Sequence, residues 1–458
     1  MCEKLWDIVV IKLICRLWNL SLASVLALTI SNILLTVRLL HSNDCPLEVE
    51  NDGSMIPKVP PPTQPPCYII ADTTNVTDQP VFLNLKFHLG RWDSLRLYKY
   101  FDFAVTGERF KELSEQYVVC LATQGSLEKL YSLVQVAHHF SGPISAAVFA
   151  AGNDELYLLQ LYVTYLRKCY PAIRNSVSFH LAVPKDRAPT YLRDGLNEKF
   201  SRFNCAQPET TLNELMKYRS IETTKWRTKN PYPQNHLRNV ARKGCQNDFV
   251  FLTDVDIIPS MNFAEKLDKF LRTAKCQSAK CAFVIPTYEI DNRVKFPKDK
   301  LDLIRLAKKG LARPFHHKVF IYNQFATNFS KWESDLDNTR ETRISYNVTN
   351  FEFLYEPFYV STDLVPVHDE RFLGYGFTRN TQTYEMFVAG YQFQVLSPIF
   401  TCHWGLQNKK NRPAWRERQN NINRKILDIF KREVFARYHK DPLKMMQPKK
   451  AAKRGRAK

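Results

Sequence analysis

A chain of 458 residues that is 45% hydrophobic and 13% aromatic has the composition of a folded globular protein. That excludes a disordered or low-complexity polypeptide and leaves room for one large domain or two ordinary ones. The formal net charge of +20 points to an anionic partner, but part of it sits in the closing run PKKAAKRGRAK, with Lys449, Lys450, Lys453, Arg454, Arg456 and Lys458, which reads as a solvated tail.

The first segment sets the class. Residues 17–37, LWNLSLASVLALTISNILLTV, carry no charge, and as a helix they would span about 30 Å, the thickness of a hydrocarbon core. Lys4, Lys12 and Arg16 precede the stretch, and no small-residue cleavage site follows it. This favours an uncleaved signal anchor, with residues 1–16 cytosolic and everything beyond it lumenal. A basic tail behind such an anchor never meets the cytosol, so a nuclear address is excluded and no nucleic-acid partner is expected. The sequons at Asn75, Asn328 and Asn347 fit a secretory lumen.

Residues 38–90 read as a stem, because IPKVPPPTQPPC places six prolines between Pro57 and Pro66 and favours extended polyproline II. Of the 11 cysteines, Cys2 and Cys15 fall on the cytosolic side or at the membrane edge, which leaves nine in the lumen. An odd number implies at least one free or intermolecular thiol, and spacing alone fixes no pairing. Cys276 and Cys281 lack histidines at zinc-finger spacing, which argues against a structural zinc there.

From about residue 91 to 440 the pattern alternates between apolar runs and amphipathic ones. Tyr117–Ala122 reads as a strand, followed by a helix over 125–140 with Ser126 as its cap. Ile144–Phe149 is the next strand. Asn153 is placed to cap a helix with Asp154 and Glu155 in its first turn, Arg167 and Lys168 in its last, and Pro171 as its stop. Val177–Val183 and Phe249–Leu252 are further strands, the latter preceded by the helical HLRNVARK. This order predicts an α/β domain with a mostly parallel sheet, ahead of a basic tail over 441–458.

In such sheets ligands bind beyond the carboxyl ends of the strands, and the run FVFLTDVDIIPS places Asp254 and Asp256 there. In extended backbone residues i and i+2 share a face, so two carboxylates would meet in one small volume. Like charges about 4 Å apart repel by roughly 4 kcal/mol at an effective dielectric of 20, and something must neutralise them. A lysine or arginine could do so, or a divalent cation of the Mn²⁺ or Mg²⁺ type shared with substrate phosphates. A phosphatase of the haloacid dehalogenase type also uses Asp-x-Asp, but there the motif opens the domain, whereas here about half the chain precedes it. His403, after the apolar run FQVLSPIFTC, is a candidate third ligand or a packed histidine.

Several long motifs occur in one order: YPQNHLRNVAR (232–242), LTDVDIIPS (252–260), EPFYV (356–360), DERFLGYGF (369–377), YEMFVAGYQF (384–393) and the closing His403. In these the chain resembles the glycosyltransferase family that contains the β-1,4-glucuronyltransferase of O-mannosyl glycan synthesis and the glucuronyltransferase half of the LARGE enzymes. The resemblance runs from about Tyr98 to Tyr438. LARGE enzymes have two catalytic domains and this chain has room for one.

The resemblance implies a GT-A fold in a Golgi type II membrane protein, with Mn²⁺ held by Asp254, Asp256 and His403. It also implies UDP-glucuronate as donor and, as acceptor, a β-linked xylose on the glycan of dystroglycan. An α-linked donor and a β-linked product imply inversion, with one carboxylate taking the acceptor proton. Glu385 is the first choice for that base, with Asp369 and Glu370 in reserve; Glu385 could equally be a structural partner of Arg379. Asn235 and Arg238 are candidates for donor binding and Arg313 or Arg371 for the uronate carboxylate, although any of these arginines could brace an acidic loop instead. Tyr355 replaces an expected tryptophan, and TCHWG replaces a lysine-containing version of the last motif. Two alternatives are a related transferase using UDP-xylose or UDP-N-acetylglucosamine, and a non-catalytic Golgi partner of LARGE-like enzymes.

Overall fold

The structure is a computed structural model that describes Thr29 and residues 85–191, 204–276, 280–336, 341–408 and 414–446. The anchor expected over 17–37, apart from Thr29, and the stem expected over 38–90, apart from its last six residues, lie outside that range, as does most of the tail. Among the described residues no helix is long and apolar enough to cross a membrane.

The frame is a ten-stranded sheet in the order β1-β2-β5-β4-β3-β6-β12-β8-β13-β11. Its strands are β1 Arg91–Trp92, β2 Tyr98–Val105, β3 Val119–Ser126, β4 Ile144–Phe149, β5 Val177–Pro184, β6 Phe249–Asp254, β8 Cys281–Ile285, β11 Arg343–Asn347, β12 Phe358–Thr362 and β13 Gln392–Ser397. A second sheet has the order β10-β9-β14-β7, from β7 Ile257–Pro259, β9 Thr287–Ile290, β10 Ala312–Pro314 and β14 Thr401–Trp404.

The expected mostly parallel sheet is mixed. The block β5-β4-β3-β6 is parallel, as is the β8–β13 pair. However, β12 enters antiparallel between β6 and β8, and β1, β2 and β11 are also antiparallel to their neighbours. The four strands read from the sequence are all in the parallel block. Continuous apolar runs mark strands covered on both faces, whereas short ones such as β12 give no sign of direction.

Along these strands the side chains alternate between two cores. Val119, Leu121, Ile144, Ala146, Val148, Phe179 and Phe251 pack with the helices Leu133–Phe140, Gly152–Cys169 and Phe263–Thr273. Ala122, Ala147, Phe149, Ala182, Val250 and Leu252 pack on the other face against Leu237, Val240 and Ala241 of the helix Gln234–Gly244. That helix lies very close to the sheet: a Cβ on Gly244 would sit 2.2 Å from His180 Nε2 and 2.4 Å from Ser145 Oγ. Cys120 of β3 is disulfide-bonded to Cys245 just beyond the helix.

Two caps differ from expectation. Ser126 ends β3 and makes no capping bond; a 3₁₀ turn, Leu127–Ser132, comes before the α-helix. The helix Gly152–Cys169 begins before Asn153, because the Glu155 carboxylate accepts the Ala151 N–H at 2.8 Å and takes over the capping role. Asn153 reaches Thr190 instead. Further disulfides join Cys169 to Cys205 and Cys276 to Cys281, and Cys402 is a buried free thiol. Cys45 and Cys67 lie outside the described residues.

Candidate active site

The β6 strand ends on Asp254, level with Gln124 on the neighbouring β3. Asp254 Oδ1 accepts from Gln124 Nε2 at 3.0 Å and from Arg238 Nη2 at 3.2 Å, and Arg379 Nη2 lies 3.0 Å from the same oxygen. The second layer is ordered too: Tyr232 O–H donates to Gln124 Oε1 at 2.8 Å, and Arg238 Nη1 to Asn235 Oδ1 at 3.0 Å. Asn235 Nδ2 in turn donates to the Asp369 carbonyl at 2.9 Å. Burial alone would raise the Asp254 carboxyl, but the Arg379 and Arg238 charges, with the Gln124 and Arg238 hydrogen bonds, outweigh it and hold the group well below the usual carboxylate range. All three contacts fall on Oδ1.

Asp256 has different neighbours. The pairing of β14 with β7 sets His403 opposite Ile257, which brings His403 Nε2 to 3.5 Å from Asp256 Oδ2, while Lys129 Nζ lies 3.7 Å from that oxygen. The Gln407 amide nitrogen is 3.5 Å from both nitrogens of the His403 ring. Asp256 and His403 therefore face each other, whereas Asp254 is drawn toward the two arginines. The donor set, two carboxylates and an imidazole, suits Mn²⁺, and the oxygens alone suit Mg²⁺. The chemistry of these three residues fits a cation, with Asp254 Oδ2 making no hydrogen bond among the described residues, although their ligand atoms do not all lie within 4.8 Å of one another.

Three residues that the sequence reading did not assign lie in the electrostatic surroundings of this group. Arg379 is 4% exposed and stacks over Phe358 at 4.3 Å. Glu356 is half-buried and sits in the field of the same two arginines that hold Asp254; burial nevertheless raises its carboxyl above the ordinary value, against the pull of Arg379, Arg238 and Asn323. His316 follows β10 with a positive φ of 60°, donates its backbone N–H to Glu289 Oε1 at 2.9 Å, and has its Nδ1 2.8 Å from Asn323 Nδ2. Burial pushes His316 down to about 4, with the His403 charge adding to this and Asp254 and Asp256 opposing it. Glu356 lay inside a quoted motif, EPFYV; for Arg379 and His316 neither periodicity nor spacing gave a signal.

The other predicted residues are placed elsewhere. Glu385 is 4% exposed on the helix Asn380–Val388, bonded to Arg437 and, at 3.2 Å, to Tyr438 of the helix Ala414–Tyr438. It lies six residues beyond Arg379, about 9 Å along a helix. That takes Glu385 out of the group around Asp254, and its partner is Arg437 rather than Arg379. Arg371 clamps Asp369, with Nη2 at 2.6 Å, and also Glu433. Arg313 braces buried Glu289 at 2.9 Å across the β9–β10 pair. Glu370 accepts from Asn239 at 3.0 Å and belongs to a separate group with Asp93 and His236.

A mixed α/β sheet whose parallel strands end on paired carboxylates, completed by a histidine from a smaller sheet, defines a glycosyltransferase-like protein. The chain belongs to the family described as "glycosyl-transferase for dystroglycan", whose model matches residues 118–439. Human beta-1,4-glucuronyltransferase 1 is 32% identical to it over 352 residues, 74% of this chain and 81% of that one. The zebrafish (Danio rerio) protein of the same name is 29% identical over 331 residues, 71% of this chain and 75% of its own. Human xylosyl- and glucuronyltransferase LARGE1 is 26% identical over 287 residues, 62% of this chain but 31% of LARGE1. Among solved structures, GalNAc-T7 with UDP, GalNAc and Mn²⁺ matches at a TM-score of 0.35 and 7% identity, over 70% of this chain and 50% of that one, a likeness too low to inform the site.

Proposed function

We propose that the chain transfers glucuronate from UDP-glucuronate to a β-linked xylose through a β-1,4 linkage, in O-mannosyl glycan synthesis on dystroglycan-type glycoproteins. The observation that carries this reading is the family match over residues 118–439, a span that includes Asp254, Asp256 and His403. The relatives named beta-1,4-glucuronyltransferase 1 supply the donor sugar and the linkage.

Asp254 Oδ2, Asp256 and His403 would hold the divalent cation, Mn²⁺ or Mg²⁺, which when bound supplies positive charge to the diphosphate of the donor and of the departing nucleotide. Asn235, Arg238, Arg379 and Gln124 act on Asp254: they fix its carboxylate and keep it ionised. In the displacement the acceptor hydroxyl oxygen bonds the anomeric carbon, and the bond from that carbon to the UDP oxygen breaks with its electron pair on UDP. The hydroxyl proton passes to a carboxylate. Glu356 is better set for that last role than Glu385, because it sits in the field of Arg379 and Arg238, the two arginines that hold Asp254. Glu385 is tied to Arg437. The apolar stretch 17–37 supports a single-pass type II Golgi protein with its catalytic domain in the lumen.

The test is transfer by the purified full-length protein in detergent, from a panel of UDP-sugars to a β-xyloside, with Mn²⁺ or with EDTA. Metal-dependent incorporation of glucuronate is expected. Preference for UDP-xylose or UDP-N-acetylglucosamine would move the reading to a related transferase. No transfer from any donor would leave the non-catalytic partner of LARGE-like enzymes.

A further inference from the structure

Next to the layer that holds Asp254, three chain segments converge on one nitrogen. His236 lies on the same helix as Asn235 and Arg238, and it is 1% exposed. Its Nε2 is 3.7 Å from Asp93 Oδ2 and 3.8 Å from Glu370 Oε2, and the ligand atoms of the three residues all lie within 4.8 Å of one another.

Those separations are too long for hydrogen bonds, and both ring nitrogens of His236 are buried with no hydrogen-bond partner. The hydroxyl of Tyr100, on a ring 2% exposed, is also buried without a partner, and it lies within the field of Glu370 and Asp93. Among the described residues no lysine or arginine nitrogen lies within ion-pair distance of Asp93 or Glu370. Arg91, which lies over the Tyr100 ring, is bonded to Asp102 instead. Two carboxylates thus approach a buried imidazole with no lysine or arginine of the described residues in ion-pair contact, Arg91 acting on Glu370 only at longer range.

A neutral imidazole is the form that ligates a metal. Two ligands of a tetrahedral ion with bonds of about 2.0–2.1 Å stand roughly 3.4 Å apart, within a few tenths of the 3.7 and 3.8 Å from His236 Nε2 to the two carboxylates. The remaining atoms are already oriented. Asp93 Oδ1 accepts the N–H groups of Leu97 and Tyr98 at 2.6 Å, and Glu370 Oε1 accepts from Asn239 at 3.0 Å. Each carboxylate turns its other oxygen toward His236, Asp93 Oδ2 also accepting the Leu95 N–H at 3.1 Å.

We infer that Asp93, His236 and Glu370 form a second divalent-cation site of the zinc type, separate from Asp254, Asp256 and His403. Its role is structural: it ties the Asp93 turn and the Asp369–Arg371 loop to the helix that orients Asn235 and Arg238.

The test is the metal content of the full-length protein, purified without chelator, read by inductively coupled plasma mass spectrometry. About one zinc per chain is expected to survive dialysis, to persist in Asp256→Ala, and to fall at least tenfold in His236→Asn. Protein stripped with EDTA should regain its melting temperature on addition of Zn²⁺ alone, and the variant should not. Should His236→Asn fail to fold, Glu370→Gln, at a side chain 23% exposed, reads the same loss. A wild-type protein with no stoichiometric metal and no thermal response to Zn²⁺ overturns the inference, as does full zinc in either variant. None of these readouts depends on sugar transfer, so failure here and failure of the glucuronyltransferase reading are separate results.

Discussion

Asp254 and Glu385 are both carboxylates held by arginine, yet they belong to different kinds of place. Asp254 stands at the end of a central strand with a side chain 29% exposed, held by two arginines that are themselves buried and with its second oxygen unused. Glu385 is the reverse: its own side chain is 5% exposed, and its partner Arg437 is 53% exposed on the C-terminal helix. An ion pair built to present a carboxylate buries the cation, and one built to fasten a helix buries the acid. The contrast also explains why Glu385 was an attractive base from sequence, since its motif lies beside the right loops but its side chain faces the C-terminal helix.

The sharpest way to break this comparison is to remove the acids one at a time. Asp256→Ala should lower transfer by about 10²–10³-fold or more with little change in melting temperature, because its partners stand 3.5 and 3.7 Å away. Asp254→Ala should lose activity as well and, unlike Asp256→Ala, cost about 1–3 kcal/mol of stability, because it removes the acceptor of the buried Arg238 and Arg379 and leaves Glu356 as their nearby anion. Equal melting temperatures for the two variants would contradict the assigned roles.

Next in size is Glu356→Gln, expected to slow turnover about 10²–10⁴-fold while leaving donor affinity near normal. In the wild type kcat/KM should fall as pH drops through the raised carboxyl of Glu356, and that acidic limb should vanish in the variant. An unchanged limb would assign the base elsewhere.

A smaller effect is expected at Glu385→Gln: near-normal transfer and a melting temperature lower by roughly 2–4 °C. A broken buried pair would cost more, but Arg437 is half in water and regains solvation. A loss of turnover comparable to that of Asp256→Ala would return Glu385 to the chemistry.

Much of this frame was legible. The strands 144–149 and 177–183, the helix before Asp254 and the paired aspartates themselves follow from apolar runs and their punctuation. The antiparallel entry of β12 was not legible, because a strand of five residues, four of them buried, carries no direction. Nor was the C-terminal helix, although Asn423, Leu427, Phe430 and Val434 are buried at helical spacing; the surrounding charges hid that stripe. Asn423 Nδ2 donates to the carbonyls of Leu373, Tyr375 and Gly376 and so fixes the turn of the DERFLGYGF motif. The arginine partners of Asp254 come from 16 residues before it and 125 after it, and only tertiary structure joins them.

The buried histidines add an expectation about pH stability. Burial pushes His139, His180 and His316 down to about 4 from an ordinary 6.5, so between those values the unfolded chain binds more protons than the folded one. Stability should be full above pH 6.5 and decline as pH falls toward 4. The raised carboxyls of Glu356 and Glu385 act in the opposite sense and only soften the slope. Melting temperatures from pH 7 to pH 4.5 check this, and a level profile would contradict it.

The most direct test of the central claim is Mn²⁺ binding in the presence of UDP, followed by electron paramagnetic resonance in wild type, Asp256→Ala, His403→Ala and Glu385→Gln. The account predicts binding in wild type and Glu385→Gln, and its loss in the other two. Undiminished Mn²⁺ binding in Asp256→Ala and His403→Ala would contradict it.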